Sequence, residues 1–125
     1  MARIALLLLA VGLLAPAGAQ AAYRDFQSPS GKLACVFYSD AETPAFVRCD
    51  WRGSDDQAVQ LRERGRARLR HVTDTVFNPD AKVLRYGHRM RFRALRCRSL
   101  RSGIRCRSTV SGHGFLVTVE KRTLF

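Results

Sequence analysis

The chain has 125 residues, with 22 Lys+Arg against 10 Asp+Glu and a formal net charge of +12. That length suits one domain with a modest core and argues against a multidomain architecture. The cationic excess favours polyanionic partners (nucleic acid, an anionic lipid surface or an acidic cell-wall polymer) over cationic ones. Nineteen of the basic residues are arginine, a bias that a G+C-rich coding sequence would also produce.

Arg3 opens the chain, Ile4 to Ala15 is apolar and uncharged, Pro16 and Gly18 break the run, and Ala19 and Ala21 flank Gln20. This order predicts a secretory signal peptide over 1–21, cut after Ala21. An exported domain over 22–125 would remain, secreted, periplasmic or held at the cell envelope. The apolar run, about 12 residues, is shorter than the roughly 20 needed to cross a bilayer.

Four cysteines in an exported chain read as two disulfides with three possible pairings. Leu33 to Tyr38 and Phe46 to Trp51 are short apolar runs separated by a polar loop, the pattern of a β-hairpin. Placing Cys35 opposite Cys49 also sets Phe37 against Val47 and Tyr38 against Phe46, so apolar residues meet. Placing Cys97 opposite Cys106 sets Arg98 against Arg105 and Ser99 against Ile104. The four-residue loop from Leu100 to Gly103 would then use its glycine at positive φ. The expected bridges are therefore Cys35–Cys49 and Cys97–Cys106.

Between the two hairpins the signals are weaker. In Gln57 to Val72, Ala58, Leu61, Gly65, Leu69 and Val72 follow helical spacing, whereas the arginines from Arg62 to Arg70 alternate at strand period. Gly65 costs about 1 kcal/mol inside a helix, so a strand is expected over Arg66 to Val72. Asn78-Pro79-Asp80 reads as a turn, Val83 to Tyr86 as a short strand, and Tyr86-Gly87-His88 as a second turn. Met90, Phe92 and Ala94 share one parity and Leu95 and Cys97 the other, which predicts a bulge near Ala94-Leu95. Phe115, Val117 and Val119 alternate along a last strand. The expected fold is all-β: a small, disulfide-stapled antiparallel sandwich or barrel of seven or eight strands.

In that arrangement Arg96 and Arg98 point away from Cys97, together with their partners Arg107 and Arg105. Across the bulge, Arg91 and Arg93 join them. These six arginines are the candidate anion-binding face, although water and salt would also tolerate them. Solvent-facing aromatics do not interleave with them, and no helix-turn-helix or ribonucleoprotein motif occurs, so sequence-specific DNA binding is not expected. His113, between Gly112 and Gly114, is the weak catalytic candidate; with Asp74 or Glu120 and the arginines it could serve a ribonuclease-like hydrolase. The plainer reading, a turn corner feeding the last strand, is favoured. His71 and His88 read as surface residues.

Neither cysteine pair has zinc-ligand spacing and the aspartates do not form a calcium loop, so no metal or cofactor is expected. The expectation is a non-enzymatic binding module for an anionic partner. The alternatives are the hydrolase and an interaction or inhibitor module for another secreted protein.

The stretches FQSPSGKLAC, VRCDW, RGRARLRHVTDTV, VLRYG and SGHGFLVTVEKRTLF, in that order, resemble a family of small exported proteins common in actinobacteria. That family is known only as a domain of unknown function, number 6636. The resemblance spans Phe26 to Phe125 and implies architecture but no activity. It also implies two further cysteines in relatives, at Ser54-Asp55-Asp56 and at His71, bonded to each other there.

Overall fold

The computed structural model describes residues 10–13 and 20–125, so the expected signal segment, 1–21, lies largely outside the described residues. Among these, the regular structure is all β. The strands are β1 (Ala22–Gln27), β2 (Leu33–Ser39), β3 (Phe46–Trp51), β4 (Gln57–Arg62), β5 (Arg68–His71) and β6 (Lys82–Val83), then β7 (Arg89–Phe92), β8 (Leu95–Ser99), β9 (Ile104–Ser108), β10 (Gly114–Val117) and β11 (Arg122–Leu124). Six strands form one sheet in the order β5-β4-β3-β2-β1-β6, and five form a second in the order β11-β10-β9-β8-β7. Each sheet is an antiparallel meander; the exception is β6, which adds to β1 in parallel.

The alternation of apolar residues explains why the sheets face each other. Phe26, Phe37, Val47, Val59 and Leu61 of the larger sheet are fully buried, as are Leu95, Ile104, Phe115 and Val117 of the smaller one. The rings of Phe37 and Phe92 stack across the interface, their centroids 5.4 Å apart. The fold is therefore a sandwich rather than a closed barrel.

Both expected disulfides form within hairpins, Cys35–Cys49 and Cys97–Cys106, each with a Cα–Cα distance of 4.1 Å. The registers are those expected, with Phe37 opposite Val47 and Arg98 opposite Arg105. A bond closing the first loop contributes about 3 kcal/mol in the chain-entropy model. Disulfides of this kind place the domain outside the reducing cytoplasm, and no helix among the described residues is long and apolar enough to cross a membrane.

Five local expectations need correction. Gln57 to Val72 is a hairpin, β4 and β5, not one strand starting at Arg66; Gly65, at φ 89°, turns the chain between them. The bulge at Ala94-Leu95 is instead a tight turn: Phe92 pairs with Leu95, and Arg93 takes φ 52° between the strands. Gly103 does not adopt positive φ. Its glycine is needed because a Cβ there would collide with the carbonyl of Val117 on β10. The final stretch splits into β10 and β11 around a turn, and Val83 belongs to a two-residue strand that ends before Tyr86. With β1 also present, the count rises to eleven.

The connection from β5 to β6 runs between opposite edges of the larger sheet and crosses its outer face as a strap. Asp74 accepts a hydrogen bond from Arg48 Nη1 (2.8 Å), and Val76 N–H donates to Asp50 Oδ2 (3.1 Å). Asn78 Nδ2 donates to Asp25 (3.0 Å), and Gln27 Nε2 donates to the Ala81 carbonyl (2.9 Å). Beneath the strap the outward residues Ala34, Val36 and Ala58 are buried, so this sheet has little free outer surface away from β4 and β5.

Candidate anion-binding face

The outer surface of the five-stranded sheet carries two rows of arginine. Arg91 pairs with Arg96 and Arg96 with Arg107; Arg89 pairs with Arg98 and Arg98 with Arg105. Within a row the strands are about 4.8 Å apart, and along each strand successive outward residues are about 7 Å apart. The inward alternates Met90, Cys97 and Cys106 are buried, while five of the six arginines are exposed and Arg96 is half-buried. The tight disulfide hairpin fixes this parity: with Cys97 and Cys106 bonded inward, Arg96, Arg98, Arg105 and Arg107 face outward.

No compensating acid is nearby. Among the described residues, no carboxylate lies within 4.0 Å of any of these guanidinium groups. Like charges directly opposite each other across strands cost some tenths of a kcal/mol per pair, and four such pairs occur here. Arg96 is held in place by its own backbone, with Nη1 donating to the carbonyls of Arg93 (2.5 Å) and Leu95 (3.0 Å).

Five of the six arginines expected on this face are in the rows. Arg93 is not, because the chain turns at that residue. It lines an adjoining open cleft of about 430 Å³ together with Arg24, Arg91 and Arg96. Arg24 Nη1 also donates to the Arg91 carbonyl across the edge between the sheets (3.2 Å). Arg89 is the residue that sequence reasoning missed; its alternation with buried Met90 was the signal. The face is also not free of aromatics. Phe125 packs over Gly114, and the Arg105 guanidinium lies 4.5 Å from the centre of its ring.

His113 sits on the β9–β10 turn, half-buried, with its N–H donating to Ser111 Oγ (3.2 Å) and its carbonyl accepting from Ser108 N–H (2.9 Å). Among the described residues no carboxylate is within 4.0 Å of its ring. Asp74 is bound to Arg48 on the strap, and Glu120 lies in the turn at the other end of β10. The two glycines have separate jobs: Gly112 takes φ 76°, and Gly114 leaves room for Phe125 and the Cys106 carbonyl. The turn reading accounts for all of these features. His71 and His88 are exposed.

Comparison with protein-family models, curated proteins and solved structures gave no match.

Proposed function

We propose that this protein is an exported, non-enzymatic binding module whose arginine rows engage an anionic polymer at or outside the cell envelope. The observation that carries this reading is the set of six outward guanidinium groups in two rows of three, without a neighbouring carboxylate. A polyanion lying across the rows would relieve the repulsion between them. Because a flat guanidinium array meets phosphate or sulfate groups without reading base edges, binding is expected to be independent of sequence. The signal-like leader and the two disulfides support export. The resemblance to the family of small exported proteins supports the same setting and adds no activity.

The test is retention on a heparin or DNA resin. Elution that moves steeply with salt supports the reading, and elution unchanged by salt removes it. Incubation with RNA, comparing wild type and His113→Ala, addresses the hydrolase alternative. Cleavage by wild type alone would reinstate His113 as a catalytic residue.

A further inference from the structure

A second concentration of positive charge lies on the other side of the sandwich. Arg62 ends β4, Arg68 and Arg70 lie on β5, and Arg64 and Arg66 flank Gly65 in the turn between them. These five arginines, with Gln60 and Leu69, line a concave groove of about 540 Å³. All five are exposed, and no carboxylate approaches any of them within 4.0 Å among the described residues. The hairpin does contain one acid, Glu63, but its carboxylate faces the other way. Glu63 Oε2 accepts the Ala94 N–H (3.0 Å) and its carbonyl accepts Ser108 Oγ (2.6 Å), which ties the hairpin tip to the five-stranded sheet. The only anionic group in the segment is thereby taken out of the groove while the tip is held in place.

Gln60 supplies orientation without neutralisation. Its Oε1 accepts a hydrogen bond from Arg70 Nη1 (2.6 Å), which leaves the full positive charge on Arg70. Val59 and Leu61 are fully buried toward the other sheet. Gln60 and Arg62, of opposite parity, therefore point away from the interface, as do Arg68 and Arg70 across the strand pair. The groove and the arginine rows thus face in opposite directions.

We propose that this groove is a separate binding site for a compact anion bearing several phosphate-type charges. Shape distinguishes it from the rows. A flat ladder suits a polymer laid across it, whereas guanidinium groups converging on a concavity enclose a small multivalent oxyanion, which arginine meets with paired N–H donors. The site stands independently of the function proposed for the rows. If both are occupied, the molecule links two anionic ligands across its thickness.

Isothermal titration of the full exported domain with inorganic tripolyphosphate tests the site. Wild type should bind one equivalent. Arg64→Ser/Arg66→Ser/Arg68→Ser should weaken binding at least tenfold, while Arg98→Ser/Arg105→Ser/Arg107→Ser, which removes equal charge from the rows, should change it less than threefold. Gln60→Glu is the second variant: it keeps every arginine but places a carboxylate beside Arg70 in the groove, and should also weaken binding at least tenfold. Equal weakening by both triple variants would reduce the effect to net charge and overturn the proposal, as would no binding by wild type. Retention on the polymer resin is read separately. Its loss in the row variant alone supports the rows, whatever the tripolyphosphate result.

Discussion

Arg48 and Asp50 stand two residues apart on the same face of β3, with Arg48 Nε 2.9 Å from Asp50 Oδ1 and the Arg48 side chain continuing to Asp74 on the strap. Their side chains are only 13% and 6% exposed, so this is a nearly buried pair that also holds the strap through Val76 N–H. Removing Asp50 takes away the buried half of this network, leaving Arg48 only the exposed Asp74 and Val76 N–H without its acceptor, at a cost of about 3 kcal/mol. Asp50→Ala is expected to lose that much in denaturant unfolding. Asp74→Ala, at the 74% exposed end, is expected to lose less than about 1 kcal/mol.

The same network sets a pH dependence. The hydrogen bond and charge of Arg48 hold the Asp74 carboxyl below its ordinary pKa. Asp40 is held down too, chiefly by the Tyr38 hydroxyl and by the Glu42 N–H. A lowered folded-state pKa gives stability that is complete above the unfolded-state value, about 4 for an aspartate. It is lost as pH falls through the lower folded value. Melting temperatures of wild type and Asp74→Asn should therefore differ at neutral pH and converge below about pH 4. A gap that persists or widens in acid would contradict this.

The β4–β5 ladder offers a place for a third bridge. Gln57 and His71 are directly opposed, and the neighbouring Val72 N–H donates to the Asp56 carbonyl (2.8 Å). Gln57 and His71 thus form a pair without mutual hydrogen bonds, the close-approach kind. His71 Nδ1 also lies 3.9 Å from Asp56, so the two places where the resemblance implies extra cysteines are adjacent. Gln57→Cys/His71→Cys should oxidise spontaneously and add about 3 kcal/mol for a loop of this size. Free thiols in the purified double variant would contradict the register.

Arg93 holds a left-handed backbone conformation that a glycine would occupy without strain. Arg93→Gly is expected to raise stability by roughly 1 kcal/mol. Gly114→Ala should do the opposite. Its Cβ would lie 2.8 Å from the Phe125 ring and collide with the Cys106 carbonyl, and overpacking of this kind costs about 1–3 kcal/mol. His113→Ala, between Gly112 and Gly114, should melt close to wild type. Thermal unfolding of the three variants checks the set.

The disulfide hairpins were legible because each cysteine pair, once aligned, also aligned apolar neighbours such as Phe37 and Val47. The arginine parity of β8 and β9 followed directly from that alignment. The rest depended on contacts that no local pattern reports. Arg93 turns the chain without glycine, proline or asparagine at its position, so the parity switch at Ala94-Leu95 read as a bulge and Arg89 was left out of the face. In Gln57 to Val72 the helical and strand periods coincide over several residues, which hid β4. The distant pairing of Arg48 with Asp74, and the inward turn of Glu63 that empties the groove of negative charge, are tertiary facts.

The arginine rows are tested most directly by titrating a short single-stranded oligonucleotide, used as a generic polyanion, at several salt concentrations. Six phosphate contacts predict a slope of log K against log salt of about −4 to −5. Arg96→Ser/Arg98→Ser/Arg105→Ser/Arg107→Ser should make that slope shallower by about 3 units, with both disulfides intact. An unchanged slope and affinity in this variant would contradict the assignment of the outer face as the polyanion surface.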